Sequence, residues 1–122
     1  LPQSTASSKP EVQVIAILEH YRLLDRFTAI SGAQPGPGGR GEGKSEVIAR
    51  AIERLAAVGV DVSRPVLIGD RHHDVEGGAE HGIPVIFAGW GFGDPAEAEG
   101  AVASAESVAE LRELILPGQR AR

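Results

Sequence analysis

The sequence contains no cysteine and no methionine, and its aromatics stop at one Trp, one Tyr and three Phe. Without cysteine, disulfides and thiolate metal sites are excluded. That fits a reducing compartment, and a cytoplasmic location is the expectation. Without methionine, and with Leu1 in first place, the chain reads as part of something longer. No apolar run approaches the roughly 20 residues that a bilayer span needs. Leu1–Pro10 is neither basic nor continuously apolar, so it is not a secretory signal. Basic charge is also short: the net charge of -5 argues against a sequence-independent grip on nucleic acid. What remains is an ordinary globular composition, 42% hydrophobic over 122 residues, enough for one small domain.

Along the chain, strand and helix patterns alternate. Leu1–Ser7 is a weak strand. Ser8-Lys9-Pro10-Glu11 has the form of a capping box with Pro in the first turn, and it predicts a helix running to about Arg22. Phe27–Ser31 is a short apolar strand, and Gly32–Gly43 is a loop rich in Gly with Pro35 and Pro37. Lys44–Val58 carries Val47, Ile48, Ala51, Ile52 and Leu55 on one helical face. Pro65–Asp70 is a strand ending in a carboxylate, Asp74–His81 a short helix stopped by Gly82, and Ile83–Ala88 another strand. The glycine-rich Gly89–Gly93 follows, then a short strand over Ala101–Ala103 and a helix over Ser107–Leu116 with Ser107 and Glu110 as a capping pair. Residues 1–116 are thus expected to form one core domain and 117–122 a tail. Apolar strands separated by helices imply an α/β fold with a parallel sheet covered by helices. Ligands in such folds bind beyond the C-terminal ends of strands, which directs attention to Ser7, Gly32, Asp70 and Gly89.

The chemistry gathers at those ends. In Gly69-Asp70-Arg71-His72-His73-Asp74, Asp70 ends a strand and Asp74 lies one helical turn on. Converging carboxylates suit a hard cation such as Mg²⁺, although Asp74 also has the position of a helix cap. Ser7 and Ser8 place hydroxyls at a helix start, where free N–H groups favour an anion; for Ser8 a plain N-cap is the simpler reading. Lys44 opens the strongest helix, against the macrodipole, which points to a partner for its charge. His72 and His73 stand beside Asp74, but consecutive side chains on a helix diverge, so these three make a poor zinc site. His20 and His81 read as ordinary surface or boundary residues. Trp90 and Phe92 read equally well as a lip facing substrate or as loop packing.

Gly38–Ser45, GGRGEGKS, also fits the phosphate-binding loop pattern G-x-x-x-x-G-K-[ST], which would make the chain a nucleotide hydrolase. Such a loop must leave a strand directly. Here Ala33–Pro37 intervenes after Ser31, and its two prolines cannot continue a central strand.

Taken together, Ser7-Ser8-Lys9-Pro10, Lys44, Gly69–Asp74 and Gly89-Trp90-Gly91-Phe92-Gly93 resemble the C-terminal two-thirds of a haloacid dehalogenase-like (HAD) hydrolase of the phosphoglycolate phosphatase-like branch. The resemblance implies a three-layer Rossmann-like core, incomplete because the first, central strand and the cap are absent. It implies a Mg²⁺-dependent phosphate-monoester hydrolase working through an aspartyl-phosphate. Ser7 would hydrogen-bond the phosphoryl group, with Ser8 beside it. Lys44 would bind that group and steady the nucleophile, Asp70 would ligate Mg²⁺, and Asp74 would act from the outer shell. The family's D-x-D motif, which supplies nucleophile and general acid/base, is missing: no two of Asp25, Asp61, Asp70, Asp74 and Asp94 have that spacing. The expected partners are therefore a small phosphorylated metabolite and an N-terminal segment or second polypeptide that brings the central strand. The alternative is a degenerate, non-catalytic HAD-like domain.

Overall fold

The computed structural model describes residues 1–35 and 42–116. Contacts divide the chain into two compact units, Leu1–Arg64 and Pro65–Arg122. Among the described residues, no helix is long and apolar enough to cross a membrane.

The first unit is built on helices α1 (Glu11–His20) and α2 (Lys44–Ala57). Among the described residues, the two stretches expected as strands here make one isolated parallel bridge, Ser4 with Ala29, and a second bridge, Pro10 with Ala33, lies just beyond them. A side chain joins these bridges. The Thr5 hydroxyl accepts from the Ser31 N–H at 2.9 Å and donates to the Ser31 carbonyl at 3.0 Å. The same Ser31 carbonyl also accepts from Ser7 N at 3.1 Å, so side chain and backbone share this contact. The expected capping box at the start of α1 is also replaced. Glu11 does not turn back to Ser8. Its carboxylate accepts from Gly32 N at 3.2 Å, Gln34 Nε2 at 3.0 Å and an Arg54 guanidinium nitrogen at 2.5 Å. A charged donor and a loop amide offer more than one N-terminal amide of its own helix. The serine that does act locally is Ser7, whose Oγ accepts from Lys9 N at 3.1 Å.

Helix α2 forms where its apolar periodicity predicts. Val47, Ile48 and Ala51 are buried. Its arginines tie down the segments that precede it: Arg54 also donates to Ile30 O at 2.6 Å, and Arg50 makes a two-pronged ion pair with Glu42. The Arg50 hydrogen bonds, then the Gln34 N–H, hold the Glu42 carboxyl down at about 2, from an ordinary value of 4.5. For Glu11, burial opposes ionisation, but the Arg54 and Gly32 hydrogen bonds outweigh it and the carboxyl again titrates low. Depressed folded-state values mean that the stabilisation is complete above the unfolded value and lost as pH falls towards the folded one. The first unit should therefore lose stability as pH drops from about 4.5 to about 2, the span of the Glu42 shift. Acid melts of wild type and Glu42→Gln are expected to diverge above that window and converge below it. Curves that stay parallel would remove Glu42 from the acid response.

The second unit is a parallel three-stranded sheet of order β1 (Leu67–Gly69), β2 (Val85–Ala88), β3 (Ala103–Ala105), with helices α3 (His72–Glu80) and α4 (Val108–Ile115). Its core is Val75, Val85 and Phe87, against which Leu67, Ala98 and Ala101 pack. Gly78 lets α3 approach β2: a Cβ there would lie 2.4 Å from Val85 Cγ2. The last strand starts two residues later than expected. Ala101 N closes a turn onto Ala98 O at 2.9 Å, and only from Val102 N, bonded to Val85 O at 2.9 Å, does the chain join the sheet. Ser107 caps α4 by accepting from Glu110 N at 3.1 Å, as its spacing predicts. Among the described residues, strand β1 has a ladder partner on one side only, and its Ile68 and the preceding Val66 remain 40% and 47% exposed.

Candidate functional site

In the second unit the site is built around Asp70, at the C-terminal end of β1. Its Oδ2 accepts from Phe92 N at 2.9 Å. The Gly89–Gly93 loop wraps this residue so closely that only glycine fits. A Cβ on Gly91 would lie 2.3 Å from Asp70 Cβ, and one on Gly93 would lie 2.0 Å from the Asp70 carbonyl oxygen. The two glycines and the Phe92 amide hold the carboxylate in one orientation. The Phe92 ring itself is 95% exposed, so it is not the packing of this loop, and Trp90 is 45% exposed.

Asp74 is buried, and its Oδ2 accepts from Asp70 N at 3.1 Å and Arg71 N at 3.2 Å. It ties the backbone that carries Asp70 to the first turn of α3. Gly69 makes this approach possible, since a Cβ there would meet Asp74 Oδ2 at 2.2 Å. Asp70 and Asp74 are thus brought together, with Asp74 facing backbone amides. His72 and His73 are exposed and lie at the outer side of the same turn.

Glu97, which carried no expectation, is a hub. Its carboxylate accepts from Arg71 Nε at 3.0 Å, His72 Nδ1 at 2.9 Å, His72 N at 3.2 Å and Asp94 N at 3.0 Å. The His72 hydrogen bond, followed by the Asp94 and Arg71 bonds, holds its carboxyl far below the usual carboxylate range. The sequence signal was the helix-start pattern Asp94-Pro95-Ala96-Glu97.

In the first unit, Lys44 is the first residue of α2, and its ammonium donates to the carbonyl of Ala6, next to Ser7. The geometry brings Lys44 and the Ser7 segment together. Ser8 is exposed. The phosphate-loop match at 38–45 falls partly on residues 36–41, outside the described residues, as does the expected tail at 117–122.

As a donor set, Asp70 is a hard oxygen ligand with one oxygen fixed by an amide. That fits Mg²⁺, which takes one or two carboxylates and fills its octahedron with water and phosphate oxygens.

A profile of the family described as HAD-hydrolase-like matches residues 40–114. The tyrosine-protein kinase PtkA of Mycobacterium tuberculosis is 40% identical over 90 residues, covering 74% of this chain and 29% of that protein. The phosphoglycolate phosphatase of Caulobacter vibrioides is 37% identical over 87 residues, covering 70% of this chain and 35% of that protein. A solved structure described as a predicted phosphatase from Clostridium acetobutylicum superposes with a TM-score of 0.82 at 34% identity, over 96% of this chain and 53% of that one. The chain therefore spans about a third of these curated relatives and about half of the solved phosphatase.

Proposed function

This chain belongs to the HAD-hydrolase-like family, and from that premise we propose that it carries the charge-stabilising part of a Mg²⁺-dependent phosphate-monoester hydrolase, of the phosphoglycolate phosphatase-like kind. The observation that carries the reading is the Asp70 carboxylate, fixed by the Phe92 amide and enclosed by Gly91 and Gly93 at a strand end. A carboxylate held this way binds a cation without having to reorganise. Asp70 and the phosphoryl oxygens would hold Mg²⁺, which would withdraw charge from phosphorus. Asp74 positions Asp70 through the backbone. Lys44 would neutralise the phosphoryl group, and the Ser7 hydroxyl and the amides around Ser8 would hydrogen-bond it.

The nucleophile would come from outside residues 1–122. Its carboxylate oxygen forms a bond to phosphorus as the ester oxygen leaves with its electron pair and takes a proton. Water then attacks phosphorus, freeing inorganic phosphate and regenerating the carboxylate. The strand that carries this nucleophile, from an N-terminal segment or a second polypeptide, would pair with the open side of β1. The substrate would be a small phosphorylated metabolite in the cytoplasm.

The test is hydrolysis of p-nitrophenyl phosphate by the chain joined to a D-x-D-bearing strand. Turnover that requires Mg²⁺ is expected, and Lys44→Ala should reduce it by roughly 10²-fold, as loss of a charge-stabilising group does. Absence of turnover in a folded, joined protein would favour the degenerate, non-catalytic domain. A second reading rests on the identity to PtkA: transfer of the phosphoryl group to a tyrosine hydroxyl instead of water. Labelling of a tyrosine peptide from ATP, without release of phosphate from small esters, would establish it over the first.

A further inference from the structure

Helix α3 presents nitrogen ligands that the hydrolase reading does not use. One ligand atom each from His72, His73 and Glu76 lies within 4.8 Å of the other two, and all three residues are exposed. His72 and Glu76 stand one helical turn apart on one face, with His72 Nε2 and Glu76 Oε2 separated by 3.8 Å. The cluster is not the His72–His73–Asp74 set, which divergence of consecutive side chains makes a poor zinc site: Asp74 turns inward to the amides of Asp70 and Arg71, while the ring centres of His72 and His73 lie 3.9 Å apart.

Glu97 supplies the second observation. A carboxylate has no proton to donate, so the 2.9 Å contact with His72 Nδ1 places the ring hydrogen on Nδ1. In the neutral ring the lone pair is then on Nε2, the nitrogen that faces Glu76. A carboxylate behind a histidine is the arrangement that fixes the tautomer and orientation of metal-bound imidazoles and raises their basicity. Glu97 is itself immobilised by Arg71 Nε and Asp94 N. A cation at a helix N-terminus works against the macrodipole. Here Glu76 and Glu97 provide carboxylates on two sides of His72 to offset it.

We infer that His72, His73 and Glu76 form a surface site for a divalent transition metal such as Zn²⁺ or Ni²⁺, with Glu97 as its supporting carboxylate. Imidazole ligands favour these ions, whereas Mg²⁺ prefers an all-oxygen set, so the site sorts metals differently from Asp70. The inference does not rest on the proposed hydrolase activity.

The test is calorimetric titration of the 122-residue chain with Zn²⁺ in excess Mg²⁺, with circular dichroism to verify that each variant keeps its helices. One Zn²⁺ per chain is expected. His72→Ala should abolish binding. Glu97→Gln should weaken it by roughly 10–100-fold, the usual effect of removing a supporting carboxylate. Asp70→Asn should leave it unchanged. In the Co²⁺ form, His73→Ala should alter the visible absorption. Zn²⁺ binding that survives His72→Ala, that is lost in Asp70→Asn, or that does not occur at all would overturn the assignment.

Discussion

Asp70→Asn is expected to cut turnover of the joined hydrolase by about 10²–10³-fold, the range for loss of a preorganised charge-stabilising group, or about 2.7–4 kcal/mol of barrier. The substitution is clean. Asparagine keeps a carbonyl oxygen that can accept from Phe92 N, so the loop keeps its anchor. What disappears is the negative charge, and with it the attraction for a hard cation. Activity should saturate only at much higher Mg²⁺ than in wild type. Measuring kcat against Mg²⁺ concentration for both proteins decides the matter. Wild-type turnover with an unchanged Mg²⁺ curve would remove Asp70 from the reaction.

Gly93→Ala should produce the largest loss of stability. The added carbon would lie 2.0 Å from the Asp70 carbonyl oxygen and 3.1 Å from Phe87 Cζ. The first is backbone and the second belongs to a ring only 2% exposed in the core. Neither yields cheaply, and overpacking of this kind costs about 1–3 kcal/mol or more. Gly59→Ala is the control. Gly59 has φ +89, and a methyl group added there would meet nothing within 4 Å, so only backbone strain would act. Thermal melts should place Gly93→Ala below Gly59→Ala, and because the crowded carbonyl is that of Asp70, Mg²⁺-dependent turnover should fall with it. Equal melting of the two variants would contradict the enclosure described around Asp70.

Features whose causes are local were legible in the sequence. Helix α2 announces itself because Val47, Ile48 and Ala51 recur with the helical period and are buried. That Asp70 and Asp74 are neighbours was legible because strand end and helix start lie side by side in the chain; that Asp74 Oδ2 accepts from the amides of Asp70 and Arg71, the helix-start role, was not separable there from convergence on a cation. The misreadings have long-range causes. The Thr5 hydroxyl binds Ser31, twenty-six positions away, and the α1 capping pattern yields to Arg54, forty-three positions away from Glu11. No local window contains that competition. Glu97 was missed for the same reason: its helix-start pattern is visible, but the His72 and Arg71 it holds are twenty-five and twenty-six positions away. Phe92 was weighed for its ring, whereas the group that engages the site is its backbone amide.

The one-sided pairing of β1 also bears on how the protein behaves in solution. An apolar strand with an open edge invites edge-to-edge aggregation. The sequence brackets Val66-Leu67-Ile68 with Arg64 and Pro65 on one side and Asp70 and Arg71 on the other. Charges and a proline around an unavoidable apolar strand act as gatekeepers that slow such association. On the proposed function, the same short segment would welcome one strand and repel all others, so substitutions at Arg64, Pro65 or Arg71 are expected to raise aggregation.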